Sequence, residues 1–223
     1  MAQSRGAAVS GPAVNSLAGI SHFLFDLDGT LVDSSPLHEE AFRAVLAQDH
    51  AGLLTDFDYA AIAGLSTAAA LAELGVAQAD IPRLAGAKQA HYRAALGRLG
   101  PQPGAAGVLE RLQKRGGTIA VVTSASRASA TAALAATGLS VFVSLLVAAE
   151  EAARAKPAPD LFLAALHGLN TQPSHSIAIE DAVSGVQSAR AAGLKVIGMH
   201  QEAVRGLSDF YFPGFADFAK FLA

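Results

Sequence analysis

The chain has 223 residues, 52% hydrophobic and 16% charged, with a formal net charge of −3. This length and apolar content suit one large domain, or one domain with an insert, and exclude a disordered polar chain. The slightly acidic balance offers no basic field for nucleic acid, and the lack of cysteine removes disulfides, thiolate nucleophiles and Cys-based zinc sites.

Residues 1–19 are rich in Ala, Ser and Gly without a leucine-rich stretch. They are expected to form a loose N-terminal arm and no signal peptide. No run approaches the apolar length of a membrane span, so no membrane association is expected and a cytoplasmic location is. Ser21 to Phe25 then reads as a buried β-strand that ends in Asp26-Leu27-Asp28-Gly29-Thr30. Open α/β sheets bind their ligands at such strand ends. Two carboxylates there repel each other, and burial disfavours both ionised forms. Mg²⁺ is the simplest partner, because it prefers oxygen ligands and leaves room for a substrate phosphate. Taken alone, the same residues also read as a strand followed by an Asp-Gly turn.

Ser34 or Ser35 can cap a helix with Pro36 in its first turn, and Leu37, Ala41, Phe42, Val45 and Leu46 recur on one face of it. No strand is expected before Pro101. Asp58–Ile62, Thr67–Leu74 and Ile81–Leu99 all read as helical, separated by Gly64 and by Gly75-Val76. Pro101-Gln102-Pro103-Gly104 is a stiff turn suited to a boundary or hinge. Beyond it strands and helices alternate. Strands are expected at Thr118–Val122, within Val141–Val147, and at Ser176–Ile179, Lys195–Gly198 and Phe210–Phe212. Helices are expected at Ala105–Lys114, Arg127–Ala136, Ala158–His167, Ser184–Ala192 and Phe215–Leu222. Apolar strands in repeated βα units mean a parallel sheet covered on both faces. The expected architecture is a three-layer, Rossmann-like α/β body from residues 1–34 and 102–223, with residues 35–101 inserted as an α-helical cap.

The polar residues fall where such a sheet gathers its strand ends: Asp26 and Asp28, Thr123-Ser124-Ala125-Ser126-Arg127, Lys156-Pro157, and Glu180-Asp181. Carboxylates, hydroxyls and an ammonium in one crevice are the parts of metal-assisted phosphoryl transfer. A carboxylate can attack phosphorus, and a second acid can protonate the leaving oxygen and later deprotonate water. Metal and lysine offset charge on the transferring oxygens, and free N–H groups at the start of the Arg127 helix would hold the phosphoryl group. Singly, Lys156 also reads as a solvated lysine, Asp181 as a helix cap, and Thr123 and Ser124 as loop residues.

Four stretches carry a family resemblance: Asp26–Ser34, Val122-Thr123-Ser124, Lys156-Pro157-Ala158-Pro159-Asp160, and Ile179–Gly193. In this order they resemble the motifs of haloacid dehalogenase-type phosphohydrolases. The insert after the first motif resembles the small helical cap of the branch that contains β-phosphoglucomutase and many sugar-phosphate phosphatases. The resemblance implies that Asp26 is the nucleophile and a Mg²⁺ ligand. It implies that Asp28 is the acid/base and lends its backbone carbonyl to the metal. Asp181 would complete the ligands, with Glu180 a ligand or an acceptor behind them. Lys156 would bridge the phosphoryl group and Asp26. Ser124 would bind phosphoryl oxygens, with Thr123 as the rival one residue away and Ala125 beside them.

In the cap, His38 resembles a histidine that positions the acid/base, though it also reads as an ordinary helix residue. Gly64-Leu65-Ser66 resembles a loop facing the active site. Lys88, one turn before Tyr92, resembles a lysine that reaches substrate hydroxyls. Ser126 and Arg127 stand where the mutases hold a second phosphate. Thr67 and Ala128 stand where a mutase would offer an arginine and an amide. Hydrolysis of a small sugar or polyol phosphate is therefore expected ahead of a β-phosphoglucomutase-type mutase. A non-catalytic binding domain is the remaining alternative. The expected partner is a small phosphorylated metabolite, and the expected state is a monomer or weak homo-oligomer.

Overall fold

His22–Phe25 forms the central strand, β1, of the computed structural model, which describes residues 17–223. The arm expected over residues 1–19 lies, as far as residue 16, outside the described residues. Strands β2 (Thr118–Val122), β3 (Leu145–Val147), β4 (Ser176–Glu180), β5 (Lys195–Met199) and β6 (Phe210–Phe212) complete the sheet. Its order is β3-β2-β1-β4-β5-β6 and every pairing is parallel. The chain thus winds outward on both sides of β1, and a crevice opens at the carboxyl ends of the strands where the direction reverses. Phe25 lies opposite Val121 and Ile179, so Asp26 emerges directly between β2 and Glu180 at the end of β4.

Alternate side chains of these strands build two apolar layers. Phe23, Phe25, Ile119, Val121, Ile177 and Ile179 pack on one face against helices α4 (Ala105–Lys114), α5 (Arg127–Ala136) and α8 (Phe215–Phe221). Leu24, Ala120, Val122, Ala178 and Val196 pack on the other against α6 (Asp160–Gly168) and α7 (Val183–Ala191). This is the covered parallel sheet that the uniformly apolar strands call for.

The segment between β1 and α4 is helical: α1 (Ser35–Asp49), α2 (Thr67–Glu73) and α3 (Ile81–Ala95). It has an apolar cluster of its own, including Phe42, Val45, Leu46, Leu71 and Leu84. Leu37 and Ala41 of α1 and Tyr92 of α3 instead join the cluster against the sheet. One face of α1 therefore packs in two directions. The two connections to the body run side by side: Asp33 N donates to Gly100 O at 3.3 Å and Gln102 N to Leu31 O at 2.8 Å.

Three expected elements are shorter than the stretches in which the sequence places them. Asp58–Ile62 is only a 3-10 turn, Tyr59–Ala61, because the Asp58 carboxylate accepts from Ala60 N at 2.9 Å and the chain soon turns at Gly64, φ +81°. The strand sought within Val141–Val147 begins at Leu145, since Leu139–Phe142 forms a 3-10 turn after Gly138. The helix beginning at Ile81 stops at Ala95 and ends in a 3-10 turn, Leu96–Arg98. Among the described residues no helix is long and apolar enough to cross a membrane.

Leu71 is fully buried in the cap's own cluster. Leu71→Ala is expected to cost about 2–5 kcal/mol in denaturant unfolding, as for other large-to-small core changes. A cost below about 1 kcal/mol would mean that this cluster is not a close-packed core.

Candidate active site

The crevice at the strand ends encloses about 950 Å³ between the sheet and the helical cap. At its floor lies Lys156, 6% exposed, whose Nζ donates to Asp26 Oδ1 at 2.7 Å, Glu180 Oε1 at 2.6 Å and Val122 O at 2.9 Å. All the protons of the ammonium are thus taken by the protein, and a direct contact to a phosphoryl oxygen would replace one of these bonds. Burial pushes up both the Asp26 and the Glu180 carboxyls, and the pull of Lys156 only partly offsets it. Burial alone would lower the Lys156 ammonium, but Asp26 and Glu180 outweigh it and hold the group above its usual range.

Asp181 stands next to this cluster and accepts from Thr30 Oγ1 at 2.9 Å. Burial, reinforced by the charge of Asp26, lifts its carboxyl to about 7. Asp26, Glu180 and Asp181 each offer a carboxylate oxygen, all within 4.8 Å of one another. Three buried acids against one ammonium leave excess negative charge, and the donors are all hard oxygens. Both features fit Mg²⁺. Two glycines let these acids come so close to the backbone. Gly29, at φ +88°, lies against the Asp181 carboxylate and Gly185 against that of Glu180, so a β-carbon at either position would strike the carboxylate.

After β2, Thr123, Ser124 and Ala125 line the crevice. Thr123 is almost fully buried and its Oγ1 already accepts from Ala125 N at 3.0 Å. Ser124 Oγ is buried with no hydrogen-bond partner. An orphaned hydroxyl in a polar crevice is costly unless a ligand satisfies it. Ser124 is the one of the two with no partner at all, whereas Thr123, as an acceptor, keeps its own proton to give.

The cap reaches into the site through one linear set of contacts. Lys88 Nζ of α3 lies 2.6 Å from His38 Nδ1 of α1, and His38 Nε2 lies 3.1 Å from Asp28 Oδ1. An ammonium can only donate, so Nδ1 accepts and Nε2 carries the proton given to Asp28. The His38 ring stacks on Tyr92 with centroids 4.1 Å apart, and Tyr92 Oη donates to the same Asp28 oxygen at 3.4 Å. Burial, with Lys88 adding to it, pushes the His38 pKa below its ordinary value despite Asp28. Burial would raise Asp28, but its contact with His38, with Lys88 behind it, holds that carboxyl down at about 2. Burial brings Lys88 down to about 8. Two acids two residues apart in sequence therefore shift in opposite directions, one held by the sheet and the other by the cap.

Residues 23–199 match the family model of the haloacid dehalogenase-like hydrolases. The chain belongs to that family. It is 35% identical to Protein CbbY of Rhodobacter capsulatus over 198 residues, covering 82% of this chain and 86% of that protein. It is 37% identical to fructose-1-phosphate phosphatase YqaB of Escherichia coli K12, covering 78% of this chain and 93% of that protein. A solved β-phosphoglucomutase from Clostridium difficile shares the fold at a TM-score of 0.80, with 22% identity and coverage of 91% of this chain and 97% of that one. The chain is a phosphoric monoester hydrolase of the haloacid dehalogenase-like family, in the sugar-phosphate phosphatase branch.

Within this haloacid dehalogenase-like hydrolase, some expected site residues sit elsewhere. Gly64 and Thr67 line the crevice, but Ser66 is the cap of α2, accepting from Ala69 N at 3.3 Å. Ser126 caps α5 and donates to Ser129 Oγ at 3.1 Å. The Arg127 guanidinium is bound to Glu151 at 2.6 Å and to Leu146 O at 2.9 Å, and neither Ser126 nor Arg127 lines the crevice. Lys88 does line it, yet its ammonium is engaged with His38. Thr30, which orients Asp181, and His200, which donates to Thr30 O at 3.1 Å, were not marked by the sequence, because nothing in the linear pattern links positions so far apart.

If the three acids hold Mg²⁺, the ion is expected to raise the thermal unfolding midpoint, with about 2.7 kcal/mol of added stability at one hundred times its dissociation constant. Differential scanning calorimetry of the unaltered protein and of Asp181→Asn checks this. An equal upward shift in both would remove Asp181 from the metal site.

Proposed function

We propose that the protein hydrolyses small sugar or polyol phosphates in two steps, through a phosphorylated Asp26 and with Mg²⁺ held among Asp26, Glu180 and Asp181. The observation that carries this reading is geometric: Asp26, bound to Lys156, shares one crevice with Asp28, Glu180, Asp181 and the partnerless Ser124 hydroxyl. Burial lifts the Asp26 carboxyl, and Lys156 together with bound Mg²⁺ would keep it ionised, as a nucleophile must be. In the first step an Asp26 carboxylate oxygen bonds to phosphorus, the ester P–O bond breaks, and the leaving oxygen takes a proton from Asp28. In the second, water bonds to phosphorus and gives a proton to Asp28, and the acyl-phosphate P–O bond breaks to release phosphate and restore Asp26. Bound Mg²⁺ would supply positive charge against the phosphoryl oxygens, with Asp26, Glu180, Asp181 and the Asp28 carbonyl as its protein ligands. The Ser124 hydroxyl would donate to one of those oxygens, and Lys156 keeps Asp26 in line.

Asp28 is ionised at rest, so it needs a proton before the first step. The His38 contacts offer a source. Lys88 gives a proton to Nδ1 while Nε2 gives its own to Asp28, which neutralises both charges and leaves the imidazole neutral. An ammonium lowered to about 8 still holds its proton at neutral pH, and because Asp28 is by far the stronger acid the transfer runs only as the leaving oxygen draws that proton on. Hydrolysis is favoured over mutase chemistry because the Arg127 guanidinium, a candidate for holding a second phosphate, is bound to Glu151 away from the crevice. The complete set Asp26, Asp28, Lys156 and Asp181 speaks against a domain that only binds its ligand.

Asp26→Asn is expected to lower Mg²⁺-dependent phosphate release by at least about 10³-fold. Retention of the original rate would exclude Asp26 as nucleophile. Lys88 is protonated below about 8 and neutral above it, so kcat for alkyl esters is expected to fall as pH rises through that value. Lys88→Met should remove this limb. It should also slow a sugar phosphate more than p-nitrophenyl phosphate, whose leaving group needs no proton. Equal slowing of both esters would show that Lys88 supplies no proton.

A further inference from the structure

Beyond the reacting groups, the crevice wall contributed by α1 carries one charged pair. Glu39 and Arg43 both line the cavity and are joined at 2.8 Å, one helical turn apart. The Arg43 guanidinium also lies over the Phe57 ring, 4.8 Å from its centroid, which fixes the plane of its donors. The same helix places His38 on Asp28. At 1.5 Å per residue, Arg43 lies about 7.5 Å further along the axis than His38, away from the sheet. The pair thus faces the part of a substrate remote from the transferred phosphoryl group. Both side chains are about half exposed, 40% for Glu39 and 47% for Arg43, so the pair is weakly held and can open to a ligand.

The charge state of this wall decides what it can accept. Among the described residues lining the crevice, α1 and α3 contribute two basic side chains, Arg43 and Lys88, and both are engaged, with Glu39 and His38. A second anionic group on the substrate would have to detach Arg43 from Glu39 and then lie beside the freed carboxylate. A hydroxyl meets no such penalty, since it can donate to Glu39 and accept from Arg43 at once. Gln187 and Gln201, on the body side of the crevice, add amides of the same two-way character.

We infer that Glu39 and Arg43 determine specificity, selecting phosphate esters whose leaving group is an uncharged polyol and rejecting those that carry a second anion. This rests on the phosphatase reading above and adds to it the residues that read the leaving group. Neither residue touches the reacting atoms, so the selection acts through substrate binding. Like-charge placement against the wrong ligand is a common source of discrimination.

The test compares kcat/KM for glucitol 6-phosphate, which has a neutral polyol, with that for 3-phosphoglycerate, which has a carboxylate, in Mg²⁺. The unaltered protein is expected to prefer the former. Glu39→Ala releases Arg43 and should move the ratio toward 3-phosphoglycerate by about tenfold or more, the scale of one charged hydrogen bond. Glu39→Gln keeps a hydrogen-bonding group without the charge and should move it in the same direction. Arg43→Leu should raise KM for glucitol 6-phosphate by more than it lowers kcat. Calorimetric midpoints of the variants close to that of the unaltered protein would confirm folding. Turnover of both esters with an unchanged ratio in Glu39→Ala and Glu39→Gln would overturn the assignment while leaving the phosphatase reading intact. Preference of the unaltered protein for 3-phosphoglycerate would do the same. No phosphate release from any ester by the unaltered protein would overturn both.

Discussion

The site depends on one buried ammonium. Lys156 lies under the ends of β1 and β4 and holds Asp26 and Glu180 at 2.7 and 2.6 Å. Without it, like charges in a low-dielectric setting would be resolved by protonation, and a protonated Asp26 is no nucleophile. Removing one partner of such a buried pair costs about 3–5 kcal/mol, because the charge left behind is uncompensated. The third donor bond, to Val122 O, ties the lysine to β2, so the position of Asp26 is referred to three neighbouring strands. A parallel sheet is rigid in this direction. Asp26, the proposed nucleophile, is therefore placed by the central strands of the sheet.

Asp28 is placed differently. Its side chain is held by His38 and Tyr92, which come from helices of the cap, while its backbone continues β1. Glycine at position 29 allows the tight turn that follows the two acids, and Thr30 uses the same turn to orient Asp181. The Asp28 contacts exist only where α1 and α3 lie against the sheet. On the proposed mechanism, cap position and proton delivery would be one event. Leu37, Ala41 and Tyr92 pack into the apolar layer of the body, so hydrophobic burial holds the cap in this position.

Much of this was legible in the chain itself. The apolar strands named the parallel sheet, Asp26, Asp28 and Asp181 fell at a strand end or the turn after one, and Lys156 fell just before a helix. The pattern told less about the cap. The Asp58 segment is a single capped turn, because local side-chain bonding and a left-handed glycine outweigh helical periodicity over five residues. The resemblance to the mutases made Arg127 a phosphate ligand, yet Glu151, a neighbour only in the folded chain, claims its guanidinium. The choice between Thr123 and Ser124 was likewise open in the sequence. In the fold the Thr123 hydroxyl has a backbone partner and the Ser124 hydroxyl has none.

The amino-acid sequence by itself determined the order of strands and helices, the insertion point of the cap, and the residue types gathered at the sheet edge. These follow from periodicity, turn chemistry and the rule that parallel strands end together. Only the tertiary structure decided which of those residues is charged, which hydroxyl is free, and which arginine faces the crevice. Ionisation and hydrogen bonding depend on burial and on partners up to 170 residues away, as between His200 and Thr30, and such distances are set by packing and not by position along the chain.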